Sequence, residues 1–137
     1  MALVLDTGPL LAALDAADPD HDSCARLLTG ATEDLVVPTL VLAELDYWCH
    51  ERLSADVWLA FLDDLLEGAY RTEDAIDDDL RRCGVLQRQY ADLRLGVVDA
   101  SVLALVERLE EDKLATLDRR HFAVVRPAHT ASLELVP

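Results

Sequence analysis

Short apolar runs alternate with longer stretches in which apolar residues recur every three or four positions, a pattern that predicts strands separated by helices. Ala2 to Leu5 reads as a first strand, stopped by the turn-forming Asp6-Thr7-Gly8-Pro9, from which a helix starts. A more polar helix is expected from Asp20 to about Leu28, with Pro19 just ahead of it. The run Leu35-Val36-Val37 predicts a second strand ending at Pro38, and Thr39 stands where it would cap a long helix carrying Leu42, Leu45, Trp48 and Cys49 inward. After Ser54, the residues Trp58, Phe61, Leu62, Leu65 and Leu66 mark the clearest amphipathic helix, closed by Gly68. A brief strand over Ala69 to Arg71 follows, then a helix capped by Thr72 and running from about Glu73 to Tyr90. Ala91 to Val98 reads as a loop, and Asp99 as the N-cap of a helix with Val102, Leu103, Val106 and Leu109 on one face. Lys113 to Leu117 predicts a strand that stops at Asp118; a short turn around Phe122 and a β segment near Leu133 to Val136 complete the pattern.

Strands alternating with helices argue for one α/β domain over residues 1–137, with a central, mainly parallel sheet flanked by helices on both faces. The 137 residues are 52% hydrophobic, enough for a single core and too many for a disordered chain. No apolar run approaches the roughly 20 residues of a membrane-spanning helix, and Met1 leads into the first strand without a secretory pattern, so a cytoplasmic protein without membrane association is expected. Cys24, Cys49 and Cys83 are widely spaced and form no Cys-x-x-Cys pair; reduced, buried thiols are expected, and no local signature couples one of them to His21, His50, His121 or His129 as a catalytic pair.

With 27 Asp and Glu against 12 Lys and Arg, the chain carries −15 and repels nucleic acid at long range. Whether that charge only solubilises the protein or gathers at a cation site depends on where the acids fall. Asp6 and Asp118 each end a predicted strand, the position from which open parallel sheets bind ligands. Glu44 sits among Val41, Leu42, Ala43 and Leu45 one turn into its helix, and Asp99 follows Val97-Val98 at a helix start. Taken singly, each has an ordinary explanation: solvated loop acids for Asp6 and Asp118, a helix N-cap for Asp99, a charge complementing the helix dipole for Glu44. Together, strand ends and helix starts converge on one edge of a parallel sheet. Like charges about 5 Å apart repel by about 3 kcal/mol at an effective dielectric near 20, so such a group must protonate in part or hold a cation. Oxygen ligands favour Mg²⁺ or Mn²⁺ over zinc.

Four fragments in this order resemble the PIN-domain ribonucleases, and within them the VapC toxins of toxin–antitoxin pairs: Val4-Leu5-Asp6-Thr7; Val37-Pro38 through Leu42-Ala43-Glu44; Tyr90-Ala91-Asp92-Leu93 leading to Leu95-Gly96-Val97-Val98-Asp99-Ala100-Ser101; and Thr116-Leu117-Asp118-Arg119-Arg120-His121-Phe122. The resemblance implies that Asp6, Glu44, Asp99 and Asp118 form the family's acidic quartet, Asp6 and Asp99 being the principal metal ligands. It implies a Mg²⁺- or Mn²⁺-dependent endoribonuclease in which the ion activates water for in-line attack on phosphorus. Thr7 and Thr116 would hydrogen-bond the ligands from behind, and Arg119 or Arg120 would meet substrate phosphate. Arg81, Arg82, Arg88 and Arg94 read as surface residues, and Asp92 as a structural loop acid. Implied partners are an RNA substrate, a small VapB-like antitoxin that wraps an apolar helix face such as Trp58 to Leu66, and a second copy of the chain. One departure is Gly8, where many relatives carry a hydroxyl residue.

Asp6-Thr7-Gly8 also matches the aspartic-protease triplet, but those are β proteins and helical periodicity dominates here. A haloacid-dehalogenase-like phosphatase would need an acid at Gly8, and a receiver domain a well-placed lysine, whereas Lys113 is the only lysine. The remaining alternative is a PIN-like module that binds a protein partner with little or no catalysis.

Overall fold

β1 (Ala2–Leu5) lies at the centre of a five-stranded sheet, and all four of its residues are buried. Side chains alternate between the two faces of a strand, so burial of all four requires cover on both faces. The computed structural model describes residues 1–137. The other strands are β2 (Asp34–Pro38), β3 (Arg71–Glu73), β4 (Lys113–Ala115) and β5 (Glu134–Val136), in the order β3-β2-β1-β4-β5 with every neighbouring pair parallel. Register is fixed on both sides of β1: Leu3 and Val4 lie opposite Leu35 and Val36, and Val4 and Leu5 opposite Leu114 and Ala115.

Seven helices supply the cover: α1 (Thr7–Leu14), α2 (His21–Gly30), α3 (Thr39–Arg52), α4 (Ala55–Leu66), α5 (Asp77–Gln89), α6 (Val97–Arg108) and α7 (Arg119–Phe122). Parallel strands need crossover connections, and these helices are those connections. Helix α6 is the most deeply set, with Ala100 through Val106 all buried, and it packs on β1 and β2 as well as on α5. The α5–α6 pair is clamped at its rim by Arg82, which donates to both Glu107 oxygens at 2.7 and 2.9 Å, and by Arg108, which reaches the buried Asp79 at 3.1 Å. No helix is long and apolar enough to cross a membrane, and the three cysteines are free and buried.

Several boundaries differ from the sequence expectation, each for a local reason. Strand β3 covers Arg71–Glu73 instead of Ala69–Arg71, because Gly68, at φ +95°, and the Ala69 N–H, which donates to Asp64 O, are still closing α4. Thr72 pairs with Val37 inside that strand and cannot cap a helix; α5 starts only at Asp77, where Asp79 accepts from the Ile76 N–H. Thr39 is the first residue of α3, and its hydroxyl donates to Glu73 O. Within the expected loop after Tyr90, Ala91–Leu93 forms a 3-10 turn. The turn around Phe122 is the one-turn helix α7, and β4 ends at Ala115, short of Leu117. Asp99 is not the N-cap of α6; Gly96 is, which leaves Asp99 in the first turn with no capping bond.

Candidate active site

From β1 the chain crosses to β2 and β3 on one side, then returns to β4 on the other, so the carboxyl ends of β1 and β4 flank the point where its direction across the sheet reverses. Open parallel sheets bind ligands at that point. Asp6 follows β1 directly and Asp118 follows β4 after Thr116 and Leu117. Helix α3, leaving β2, brings Glu44, and the first turn of α6, feeding β4, brings Asp99. All four acids line one open cleft of about 430 Å³, together with Thr7, Gly8, Leu11, Trp48, Arg52 and Leu117.

Asp6 is the most enclosed of the four, 5% exposed. Its extended backbone and position before α1 make it the N-cap, and its carboxylate accepts from the Thr7 N–H at 2.9 Å. The other oxygen accepts from the Thr116 hydroxyl at 2.8 Å. Burial, reinforced by the charges of Asp99 and Glu44, pushes the Asp6 carboxyl up to about 7, against the two hydrogen bonds that favour its charged form. Thr116 is fully buried, and while its Oγ1 donates to Asp6 it accepts from the Asp118 N–H at 3.0 Å. One hydroxyl thus links the acids that end β1 and β4.

Asp118 caps α7 by accepting from the His121 N–H at 3.0 Å, and the short helix folds the imidazole back onto the same carboxylate. His121 Nδ1 lies 2.7 Å from Asp118 Oδ2 and 3.3 Å from Asp99 Oδ2, while Nε2 donates to Leu93 O at 3.0 Å. The His121 ring therefore ties three segments together: α7, the first turn of α6 and the 3-10 turn. Partial burial lowers the basicity of His121, but the hydrogen bond and charge of Asp118 and the charge of Asp99 outweigh it and leave the imidazole above its ordinary value. Asp99 is raised by burial and then by Asp118 and Glu44, with His121 opposing.

The acidic residues expected at the site thus share one cleft, but they are not equally close. Ligand atoms of Asp99, Asp118 and His121 lie within 4.8 Å of one another, a group that could hold an ion, with Asp6 and Glu44 lining the same cleft. His121 was not foreseen as part of the site; its signal is the three-residue spacing from Asp118, which one helical turn closes. The arginines divide differently from expectation. Arg119 donates to Pro137 O at 2.7 Å, and Arg120 lines a separate depression with Asp92, Leu93, Arg94 and His121. The arginine that lines the acidic cleft is Arg52, and Trp48, expected to point inward, lines it too. At Gly8 a Cβ atom would sit 3.3 Å from Leu117 Cβ, so a hydroxyl-bearing side chain there would press on the cleft wall.

The donor set suits a hard divalent cation. Carboxylates dominate it, and burial, reinforced by their mutual repulsion, raises Asp6 and Asp99; a bound cation would favour the charged forms of both. Thr7 also lines the cleft, and its Oγ1 is buried without a hydrogen-bond partner, an orphaned polar atom next to the Asp6 carboxylate.

The PIN-domain profile matches residues 3–127 of the sequence. This chain belongs to the PIN-domain family. Ribonuclease VapC26 of Mycobacterium tuberculosis is 34% identical to this PIN domain over 135 residues, 98% of this chain and 100% of the relative. The fold is shared with the crystal structure of Mycobacterium tuberculosis VapC20, described as a Sarcin-Ricin loop cleaving toxin, at a TM-score of 0.83 and 18% identity over 94% of this PIN domain and 98% of that chain. It is shared also with VapBC2 from Rickettsia felis, bound to a DNA fragment from its promoter, at a TM-score of 0.71 and 19% identity over the full length of both chains.

Proposed function

We propose that this PIN domain is a divalent-metal-dependent endoribonuclease that hydrolyses RNA phosphodiester bonds, and that it acts as the toxin of a toxin–antitoxin pair. The observation that carries this reading is the convergence of Asp6, Glu44, Asp99 and Asp118 on one cleft at the reversal point of the sheet, with Asp6 pushed up to about 7. The likeness to a VapC ribonuclease over nearly the whole chain, and to toxins solved with their antitoxins, supports it.

In this reading Asp6 and Asp99 hold a Mg²⁺ or Mn²⁺ ion. When bound, the ion supplies Lewis acidity to a phosphate oxygen and lowers the pKa of a water. Glu44 and Asp118 would orient that water by accepting hydrogen bonds from it, or would bind a second, weaker ion through water. Thr116 and the Thr7 N–H fix the Asp6 carboxylate, and His121 keeps Asp118 beside Asp99. The substrate is RNA met in the cytoplasm. A small antitoxin silences the enzyme, and the active form is a homodimer.

Purified protein should cut single-stranded RNA with Mg²⁺ or Mn²⁺ and not with EDTA, and Asp6→Asn and Asp99→Asn should lose the activity. The same ions should raise the Tm of the parent but not of either variant. An equal Tm response in all three proteins would sink the metal site. Capture of a small partner by a chain that never cuts RNA would leave only the interaction module.

A further inference from the structure

The cleft that holds four acids also holds one arginine. Arg52 stands on α3 four residues beyond Trp48 and eight beyond Glu44, so the three side chains share one face of the helix and line the same cavity. Its guanidinium lies 4.5 Å from the centre of the Trp48 ring, and the edge of Tyr47 braces that ring, with centroids 5.0 Å apart at 77°. Arg71, Arg81, Arg82 and Arg108 pair with carboxylates; Arg52, like Arg26, Arg88, Arg94, Arg119, Arg120 and Arg126, does not, and among these it alone lines the acidic cleft. In a chain of net charge −15, an exposed arginine stacked on an aromatic ring beside a carboxylate cleft has most of its donors uncommitted.

We propose that the Trp48–Arg52 stack is the RNA-binding wall of the cleft: Arg52 takes a phosphate flanking the scissile one, and the ring and guanidinium together form the flat surface on which an adjacent unpaired base stacks. The inference rests on the nuclease reading above and adds the residues that hold the substrate. Guanidinium planes and aromatic rings are the surfaces on which single-stranded RNA bases stack, and a planar fork matches phosphate oxygens. It also answers how so acidic a protein grips an anion, since Arg52 puts a single oriented cation at the rim while the carboxylates serve the metal. The RNA taken this way has an unpaired base next to the cut, as in a loop or a single strand.

The test uses a fluorescein-labelled single-stranded RNA of about twelve nucleotides, within the range one such groove spans. Binding is followed by anisotropy over a KCl series with Mg²⁺ present, in an Asp99→Asn background to prevent cleavage, and kcat and KM are measured in the parent. Arg52→Ala and Trp48→Ala should each weaken binding at least about fivefold, the range for loss of one stacking contact. Both should act mainly by raising KM. Arg52→Ala should also make the slope of log K against log salt shallower by about 0.7, the value for one phosphate contact on a single strand. Arg52→Lys should keep that slope while losing affinity, Trp48→Phe should keep most of both, and Arg26→Ala on α2 should match the parent. An unchanged slope and KM in Arg52→Ala overturn the proposal, as does RNA binding at parental strength by both alanine variants when they lose capture of a protein partner instead. Should Trp48→Ala fail to fold, Arg52→Ala decides alone, because its exposed side chain can be removed without opening the core. A parent that neither binds nor cuts RNA would fail the nuclease reading itself, a result visible before any variant is made.

Discussion

Thr116 Oγ1 donates to Asp6 and accepts from the Asp118 backbone, so a single hydroxyl sets the separation of two acids that come from opposite ends of the chain. Thr116→Val keeps the shape and removes both bonds, leaving the partly buried Asp118 N–H and the buried Asp6 carboxylate each short of a partner; about 1–3 kcal/mol of stability should be lost, readable as a shift of the urea midpoint at unchanged m. Asp6 makes a prediction in the opposite direction. Its folded-state pKa, about 7, lies above its ordinary 3.8, so its contribution is fully present below about pH 4 and is lost as pH rises toward 7. Without metal, Asp6→Asn should therefore gain on the parent as pH climbs from 4 to 8, by on the order of 4 kcal/mol, from about three pKa units at about 1.4 kcal/mol each. Parallel melts in EDTA at the two pH values measure it, and a constant gap would mean that Asp6 is an ordinary solvated acid.

Among the elements, those built on burial were legible and those built on particular bonds were not. β1, β2 and α4 announce themselves by apolar runs and helical spacing, because those patterns are the packing itself. The start of α6 was misplaced because Asp is so good an N-cap that it outweighed Gly96 two residues before Val98, yet the displaced Asp99 is the one free to face the cleft. Helix α7 is too short for any periodicity to show, so the return of His121 onto Asp118 was hidden, although Asp118 itself was not. Helical spacing turned Trp48 inward, and it does pack against the core while also lining the cleft; nothing in one sequence says which side of α3 borders an open cleft. The joint between α1 and the β4 turn offers an element-scale test. Gly8→Val would drive side-chain atoms into Leu117 and should cost about 1–3 kcal/mol, partly recovered in the Gly8→Val, Leu117→Ala double variant; a thermal double-mutant cycle reads the coupling.

For the whole molecule, the excess of negative charge is tolerated because most acids stand apart on the surface, while a small group is forced together by strand order. At the proposed metal site, affinity for the ion and stability of the fold are linked. An ion at about 100 times its Kd should add about 2.7 kcal/mol of stability, and the gain should be larger at pH 8 than at pH 5, where Asp6 competes by binding a proton. Titration of Tm with Mg²⁺ and Mn²⁺ at the two pH values checks both size and direction. The sheet order has a temporal side as well. The hydroxyl partner of Asp6 is made 110 positions after it, and β1 lacks one of its two neighbours until β4 exists. Synthesis must therefore run through those 110 positions before the pocket can close, and a chain cut short anywhere within them carries Asp6 without the partner that fixes it.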